Sequence, residues 1–313
     1  MPIIKELDNS TVDKDEILTV HLNHRRKILG RTLDTEEINR ITRYINYLFN
    51  SFVTRSFLAY ESDELVGWLG AAEAYPPTMV IYEYHPIVYT DTNREQIAQE
   101  LIHKSIEYSK KKKIENIRTF IDVTPENESS FIDLKQHFLQ VGMRQTHTVL
   151  CMENNLSVEK LKRIELDESY HIESLGAQNK ELVMECYRRI FAQSYDNFTN
   201  SLSDEEQKYW NLPMRGENND AAIVIKKGDE LVALINVVEY RKFMEIGPVG
   251  VVPEHRGKKL GKVLMEECCS RLIKQGKLET YLEVDQTNTP AINLYIDYGF
   301  CEVSKKHGFL FRI

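Results

Sequence analysis

The stretch Glu245–Gly261, E-I-G-P-V-G-V-V-P-E-H-R-G-K-K-L-G, changes its backbone period part-way along, and the change falls on a basic turn. Residues 243–252 are apolar and rich enough in β-branched side chains for a buried strand, which Pro253 stops because it has no N–H to give to a ladder. Downstream, Leu260, Val263, Leu264, Cys268 and Leu272 recur at helical spacing, with Lys262, Glu266, Arg271 and Lys274 on the other face. The unit is strand, basic turn, helix. Unpaired N–H groups of Gly257 to Gly261 and the positive end of the helix dipole converge on one point, and Arg256, Lys258 and Lys259 add charge there. Such a turn suits an anion of pyrophosphate size.

Two phosphate-loop patterns, G-x-x-x-x-G-K-[ST] and G-x-G-x-x-G, are absent. Instead, Arg256-Gly257-Lys258-Lys259-Leu260-Gly261 resembles the acyl-CoA-binding loop of the GNAT N-acyltransferase superfamily, [Q/R]-x-x-G-x-[G/A]; Lys259 departs from it, standing where the pattern has its first glycine. A strand–helix corner with a solvated basic surface would use the same residues, so a second signature matters. Residues 279–285 read as another strand, and Asn288-Thr-Pro-Ala-Ile-Asn-Leu-Tyr295-Ile-Asp-Tyr-Gly299-Phe300 resembles the family's N-x-x-A-x-x-L-Y-x-x-x-G-F. Its local chemistry stands without the family: Asn288 is a good N-cap, Pro290 is tolerated in the first turn, and Gly299 ends the helix in a left-handed conformation.

The chain has 313 residues against a usual domain size of about 100 to 200, so two domains are expected. Its 42% hydrophobic and 28% charged residues fit a soluble globular protein. A net charge of −8 disfavours a dedicated nucleic-acid binder, and the run Lys110–Lys113 reads as a solvated helix end. No signal-peptide pattern and no long apolar window occur, so a cytosolic protein with no membrane partner is expected. Cys151, Cys186, Cys268, Cys269 and Cys301 are scattered without C-x-x-C pairs and read as buried thiols. His21 and His24 share a helical face without a third ligand nearby, and no metal is expected.

From the start, residues 3–7 read as a strand, 13–29 and 35–50 as helices, the second opened by Asp34 with Glu37 at capping-box spacing. Strands follow at 57–60, 65–74 and 79–89, then a helix at 93–113 and a strand at 117–123. The same order recurs from Arg163 to the C-terminus. Asp63-Glu-Leu-Val66 returns as Asp229-Glu-Leu-Val232, and in shifted registers Arg94 falls under Arg256 and Gly142-Met143 under Gly299-Phe300. That places Glu95, Ile97 and Gln99 under Gly257, Lys259 and Gly261, and Phe138 under Tyr295. The fold class expected is therefore α/β with a mixed α+β sheet, in two tandem GNAT-like domains. Residues 1–155 form a degenerate, structural copy, residues 156–313 a catalytic one, and the boundary lies in the polar stretch 154–159.

The resemblance implies transfer of an acyl group, most simply acetyl, from acetyl-CoA as co-substrate to the amine of a small molecule or peptide, by a monomer or homodimer. It assigns Arg256, Gly257, Lys258, Lys259, Leu260, Gly261, Lys262 and Asn288 to the cofactor, and backbone amides around Val249 and Val251 to pantetheine and oxyanion. Tyr295 would protonate the leaving thiolate and Glu245 would take the amine proton, unless Glu245 is simply a strand-edge carboxylate. Segment 193–220, with Tyr195, Phe198, Trp210, Pro213 and Met214, reads either as a lid over the acceptor or as a loop packing its own small core. Two other functions use the same residues: a non-catalytic acyl-CoA-binding scaffold, and an aminoacyl-transferase of the tandem GNAT-like kind that takes aminoacyl-tRNA.

Overall fold

A computed structural model describes residues 2–8, 10–51, 54–192, 194–209, 216, 219–240 and 243–313. The chain forms two compact units, one of residues 1–146 with 307–313, the other of residues 147–306. Trp210, Pro213 and Met214 lie outside the described residues.

The first unit begins with β1 (Ile3–Asp8), α1 (Lys14–Leu29), α2 (Thr35–Ser51), β2 (Thr54–Glu61) and β3 (Glu64–Tyr75). It continues through β4 (Thr78–Ile81), β5 (Ile87–Val88), α3 (Arg94–Lys112), β6 (Asn116–Val123) and α4 (Glu128–Gln140), to the start of β7 (Arg144–Asn155). The capping box at α2 is reciprocal: the Glu37 N–H donates to Asp34 Oδ1 at 2.8 Å and the Asp34 N–H to Glu37 Oε2 at 3.0 Å. One strand expected over 79–89 is two, because Tyr82–Pro86 bulges out. Tyr84 takes a left-handed φ of 62°, and the Gly70 N–H donates to His85 Nδ1 at 3.0 Å where a strand carbonyl would otherwise accept. One face of the sheet packs Leu101, Ile102, Phe131 and Phe138, the other Ile17, Ile45, Phe49 and Trp68.

The second unit takes the rest of β7, then β8 (His171–Ser174), α5 (Lys180–Phe191), α6 (Asn197–Ser201), α7 (Asp204–Tyr209), β9 (Ile223–Lys227) and β10 (Glu230–Tyr240). β11 (Phe243–Val251), α8 (Leu260–Lys274), β12 (Glu279–Asp285) and α9 (Thr289–Asp297) follow. The last strand, β13 (Cys301–Arg312), starts in the second unit and ends in the first. The second sheet runs β7-β12-β11-β10-β9-β8, antiparallel except where β11 meets β12. The stretch 154–159 is no free linker, since Asn154 and Asn155 still pair with Thr280 and Glu279. Cys151, Cys186, Cys268 and Cys269 are buried as expected, but Cys301 at the head of β13 is exposed.

Hydrogen bonds fix how the copies correspond. Val66 and Val232 share the D-E-L-V repeat, and their carbonyls accept from Tyr89 N–H at 2.8 Å and Val252 N–H at 2.9 Å, so Tyr89 is the counterpart of Val252. α3 starts five residues after Tyr89, but α8 starts eight after Val252. The pairing of Arg94 with Arg256 is therefore corrected: Arg94 opens its helix where Leu260 opens the other, and the first copy has a shorter turn. The pairing of Phe138 with Tyr295 agrees with the structure. Each carbonyl accepts from the residue after the capping glycine, Met143 N–H at 2.9 Å and Phe300 N–H at 3.1 Å.

Candidate active site

β11 and β12 run parallel only at Met244–Thr280 and Glu245–Tyr281, then separate. Glu245 thus stands at the vertex of a splay, half-buried, on the strand face opposite buried Met244 and Ile246. Beyond the vertex β11 keeps its antiparallel partner, pairing Val249 with Ile235 and Val251 with Ala233. Because Val252 bonds to Val232, alternation of the antiparallel ladder makes Gly250–Leu234 the next bonded pair and turns the N–H groups of Val249 and Val251 away from β10, toward the gap. A parallel neighbour would ordinarily take those donors.

The basic turn closes the β11 arm. Pro253–His255 form a short 3₁₀ turn, and His255 is buried with its Nδ1 2.9 Å from the Tyr170 hydroxyl. Gly257 has φ of 76° and Lys259, the N-cap of α8, φ of 62°. Lys259 therefore holds the left-handed conformation that its glycine counterpart would hold without strain. The equivalent N-cap of α3 is Asn93, also left-handed with φ of 53°. Among the described residues the N–H groups of 257–262 have no partner, so consecutive donors stand at the positive end of α8. The cations are partly engaged. Arg256 Nε donates to the Val251 carbonyl at 3.1 Å and Nη2 to the Ile190 carbonyl at 2.9 Å, Lys258 Nζ reaches the Glu254 carbonyl at 3.4 Å, and Lys262 lies 3.5 Å from Asp297. Lys259 is exposed and its ammonium bonds to no described residue.

α9 brings the second signature to the turn. Asn288 Oδ1 accepts from the Ala291 N–H at 3.2 Å, and Gly299 caps the far end with φ of 94°. Leu294 packs against the turn: a Cβ on Gly261 would lie 3.7 Å from Leu294 Cδ2. Next to it Tyr295 is buried against Phe300, with ring centroids 6.1 Å apart, and its hydroxyl bonds to no described residue. Burial alone raises its pKa above the ordinary phenol value, so it stays protonated. The Tyr298 hydroxyl fastens α9 to α8, donating 3.0 Å to the Lys262 carbonyl or to Glu266. The structure thus gathers Arg256–Lys262 and Leu294 at the end of the β11 arm, puts Tyr295 in the core of the second unit against Phe300, and leaves Glu245 at the vertex of the splay. Sequence reading missed Asp285 at the tip of β12, although D-x-T is a turn pattern: Asp285 Oδ1 accepts from the Thr287 N–H at 2.9 Å and hydroxyl at 2.6 Å.

A mixed sheet with a splayed parallel pair, a donor-lined turn at one arm and an internal repeat defines a tandem acyltransferase-like fold. The acetyltransferase (GNAT) family profile matches residues 22–139 and 181–300, most of the chain, and the chain belongs to that family. Streptothricin acetyltransferase of Streptomyces lavendulae is 34% identical over 89 residues, 27% of this chain; the match spans 47% of that relative, about half its length. Among solved structures, a GCN5-related N-acetyltransferase of Sphaerobacter thermophilus superposes with TM-score 0.64 at 13% identity, covering 99% of this chain and 95% of its own. A tandem GNAT protein from the clavulanic acid biosynthesis pathway gives 0.57 at 12% identity over 99% and 98%. At such identities these structures speak for the fold alone. No helix among the described residues is long and apolar enough to cross a membrane.

Proposed function

We propose that this chain is an N-acetyltransferase whose second copy moves an acetyl group from acetyl-CoA to a primary amine by direct attack. The observation that carries the reading is the splay. β11 abandons β12 after Glu245, and the donors of Val249 and Val251 face the opening while those of 257–262 crowd its end. The opening would take pantetheine in place of a strand, with the pyrophosphate on the turn. Lys258, Lys259 and Lys262 supply charge, and Arg256 spends most of its guanidinium holding the turn together.

In this reaction the neutral amine attacks the thioester carbonyl, with Glu245 accepting its proton directly or through a water. The Val249 and Val251 N–H groups stabilise the oxyanion, and Tyr295 hands a proton to the departing thiolate as its charge develops. The sequence repeat over residues 1–155 is structural, since its turn is shorter and Phe138 has no hydroxyl where the second copy has Tyr295. An amine-bearing small molecule as acceptor accords with the name of the streptothricin acetyltransferase. Calorimetric titration with acetyl-CoA and with a tRNA mixture tests the donor: one acetyl-CoA per chain and no tRNA binding is expected. Two equivalent acetyl-CoA sites would overturn the structural role of the first copy, and tRNA binding in place of acetyl-CoA would overturn the reaction. A screen of amine acceptors followed by free CoA then separates an enzyme from a scaffold.

A further inference from the structure

A turn whose N–H groups are left for a ligand cannot be held in shape by those groups, so its shape has to come from the residues that flank it. Two side chains supply it. Arg256 reaches back to the Val251 and Ile190 carbonyls. His255, one residue earlier, puts its Nδ1 2.9 Å from the Tyr170 hydroxyl, a hydrogen bond whichever of the two gives the proton. The other contacts hold less. Lys258 bonds within the turn, to the Glu254 carbonyl, and Glu254 meets Arg189 in an exposed ion pair at 3.3 Å.

Tyr170 is the fixed end of the bond to His255. It stands immediately before β8, whose His171 pairs with Lys226 of β9, and its own N–H donates to the Asp167 carbonyl at 2.9 Å. Asp167 Oδ1 accepts in turn from the Ser169 N–H at 2.9 Å and hydroxyl at 2.6 Å, so the run D-E-S-Y is a closed turn. The ring of Tyr170 is buried, meets the imidazole edge-on with centroids 5.6 Å apart, and lies under Lys227 Nζ at 5.8 Å. Among the described residues its hydroxyl bonds to His255 alone. The first copy has no such tie. Its turn is shorter by the length of the 3₁₀ turn that carries His255, and its residues 90–93 hold no histidine.

We propose that Tyr170 is a positioning residue for the donor: through His255 it fixes the entry to the basic turn, so that the N–H groups of 257–262 are gathered before acetyl-CoA arrives. The proposal rests on the reading of that turn as the pyrophosphate seat. Tyr170 touches no reacting atom and lies outside the β11–β12 pair, so its loss acts on donor affinity and leaves Glu245 and Tyr295 in place. An ordered turn bears its conformational entropy cost on folding. A loose one bears it when the donor binds, and affinity falls accordingly.

Three variants of the full chain test this. Tyr170→Phe removes the hydroxyl and keeps the ring under Lys227. His255→Ala removes the other partner, and His255→Asn restores a polar atom as far along the side chain as Nδ1. Loss of one buried hydrogen bond corresponds to a change of about three- to tenfold. Acetyl-CoA affinity measured by calorimetry should fall by that factor in Tyr170→Phe and His255→Ala and largely return in His255→Asn. Once an acceptor is found, KM for the donor should rise in step while kcat stays within about twofold of the parent. Without ligand, trypsin should cut after Lys258 and Lys259, both exposed, faster in Tyr170→Phe and His255→Ala than in the parent, the cut being located by mass spectrometry. A lower urea midpoint with affinity and turn cleavage both unchanged would make the pair a structural tie of the unit and overturn the positioning role, as would no change in any of these measurements. Should acetyl-CoA fail to bind the parent, the donor reading falls, and the rates of cleavage after Lys258 and Lys259 alone decide whether Tyr170 holds the turn.

Discussion

In the proposed reaction Tyr295 and Lys259 have separate tasks, and their environments set what they can do. Tyr295 is buried, and desolvation moves its hydroxyl above the ordinary phenol value of about 10. The sign matters. A raised value keeps the proton on Tyr295 across the neutral and mildly alkaline range, so no loss of activity from its ionisation is expected below about pH 10. It also makes the phenol a weaker acid, so Tyr295→Phe should lose rate near the low end of the usual general-acid range, about 100-fold, with acetyl-CoA affinity largely kept. A variant within about threefold of the parent, under saturating substrates with chemistry limiting, would assign that proton to water instead. Lys259 offers a test independent of activity. Its φ of 62° costs an L-residue about 1–2 kcal/mol that glycine does not incur. Lys259→Gly should therefore raise the urea-unfolding free energy of the second unit by an amount on the order of 1 kcal/mol, seen as a higher midpoint, while weakening acetyl-CoA binding through loss of a cation that bonds to no described residue.

Among the elements, α8, α9 and the strand before each were legible because their signals are local: helical spacing from Leu260, an N-cap at Asn288, a stop at Gly299. The break of β4 from β5 was not, since it depends on His85 replacing a strand carbonyl for Gly70, a contact between residues far apart in sequence. The contact of α6 with the tip of β12 was illegible for the same reason, as only the fold brings Asn197 to Asp285. The first unit's histidines give a further prediction. His21 and His24 on α1 sit edge-on to Tyr89, with ring centroids 6.1 and 5.4 Å away, and His85 is wholly buried against Trp68. Burial, with neighbouring positive charge, lowers His21 to about 4 and His85 to about 3. Both are neutral when folded and take up a proton more readily when unfolded. Stability is thus complete above pH 6.5 and declines as the pH falls toward 4, with His21 alone accounting for about 3 kcal/mol. His21→Gln should flatten the fall in urea midpoint between pH 7 and 4.5; an unchanged slope would exonerate His21.

At the scale of the whole molecule, the repeat was readable from D-E-L-V and from the two capping glycines, yet the compact units do not follow it. A sequence repeat records duplication, whereas a compact unit records which strands complete which sheet. β7 leaves the first copy to pair with β12 over seven positions, Val149 with Asp285 through Asn155 with Glu279. The chain end returns to the first unit, where Phe309 packs with Phe131 and Phe138 and the Ile313 N–H donates to the Glu115 carbonyl at 3.0 Å. Cutting between 155 and 156 therefore strips β12 of its antiparallel partner and removes Leu150 and Met152 from the second core. It also leaves Phe309 and Leu310, wholly buried in the intact chain, without a unit to fill. Exposed strand edges and apolar termini of this kind aggregate. Of two fragments of nearly equal length, 147–306 should show cooperative urea unfolding and near-ultraviolet circular dichroism. Fragment 156–313 should show neither and should precipitate unless supplied with residues 1–155. If 156–313 instead folds alone and binds acetyl-CoA as tightly as the full chain, β7 is dispensable to the second sheet, and the exchange of strands has no energetic consequence.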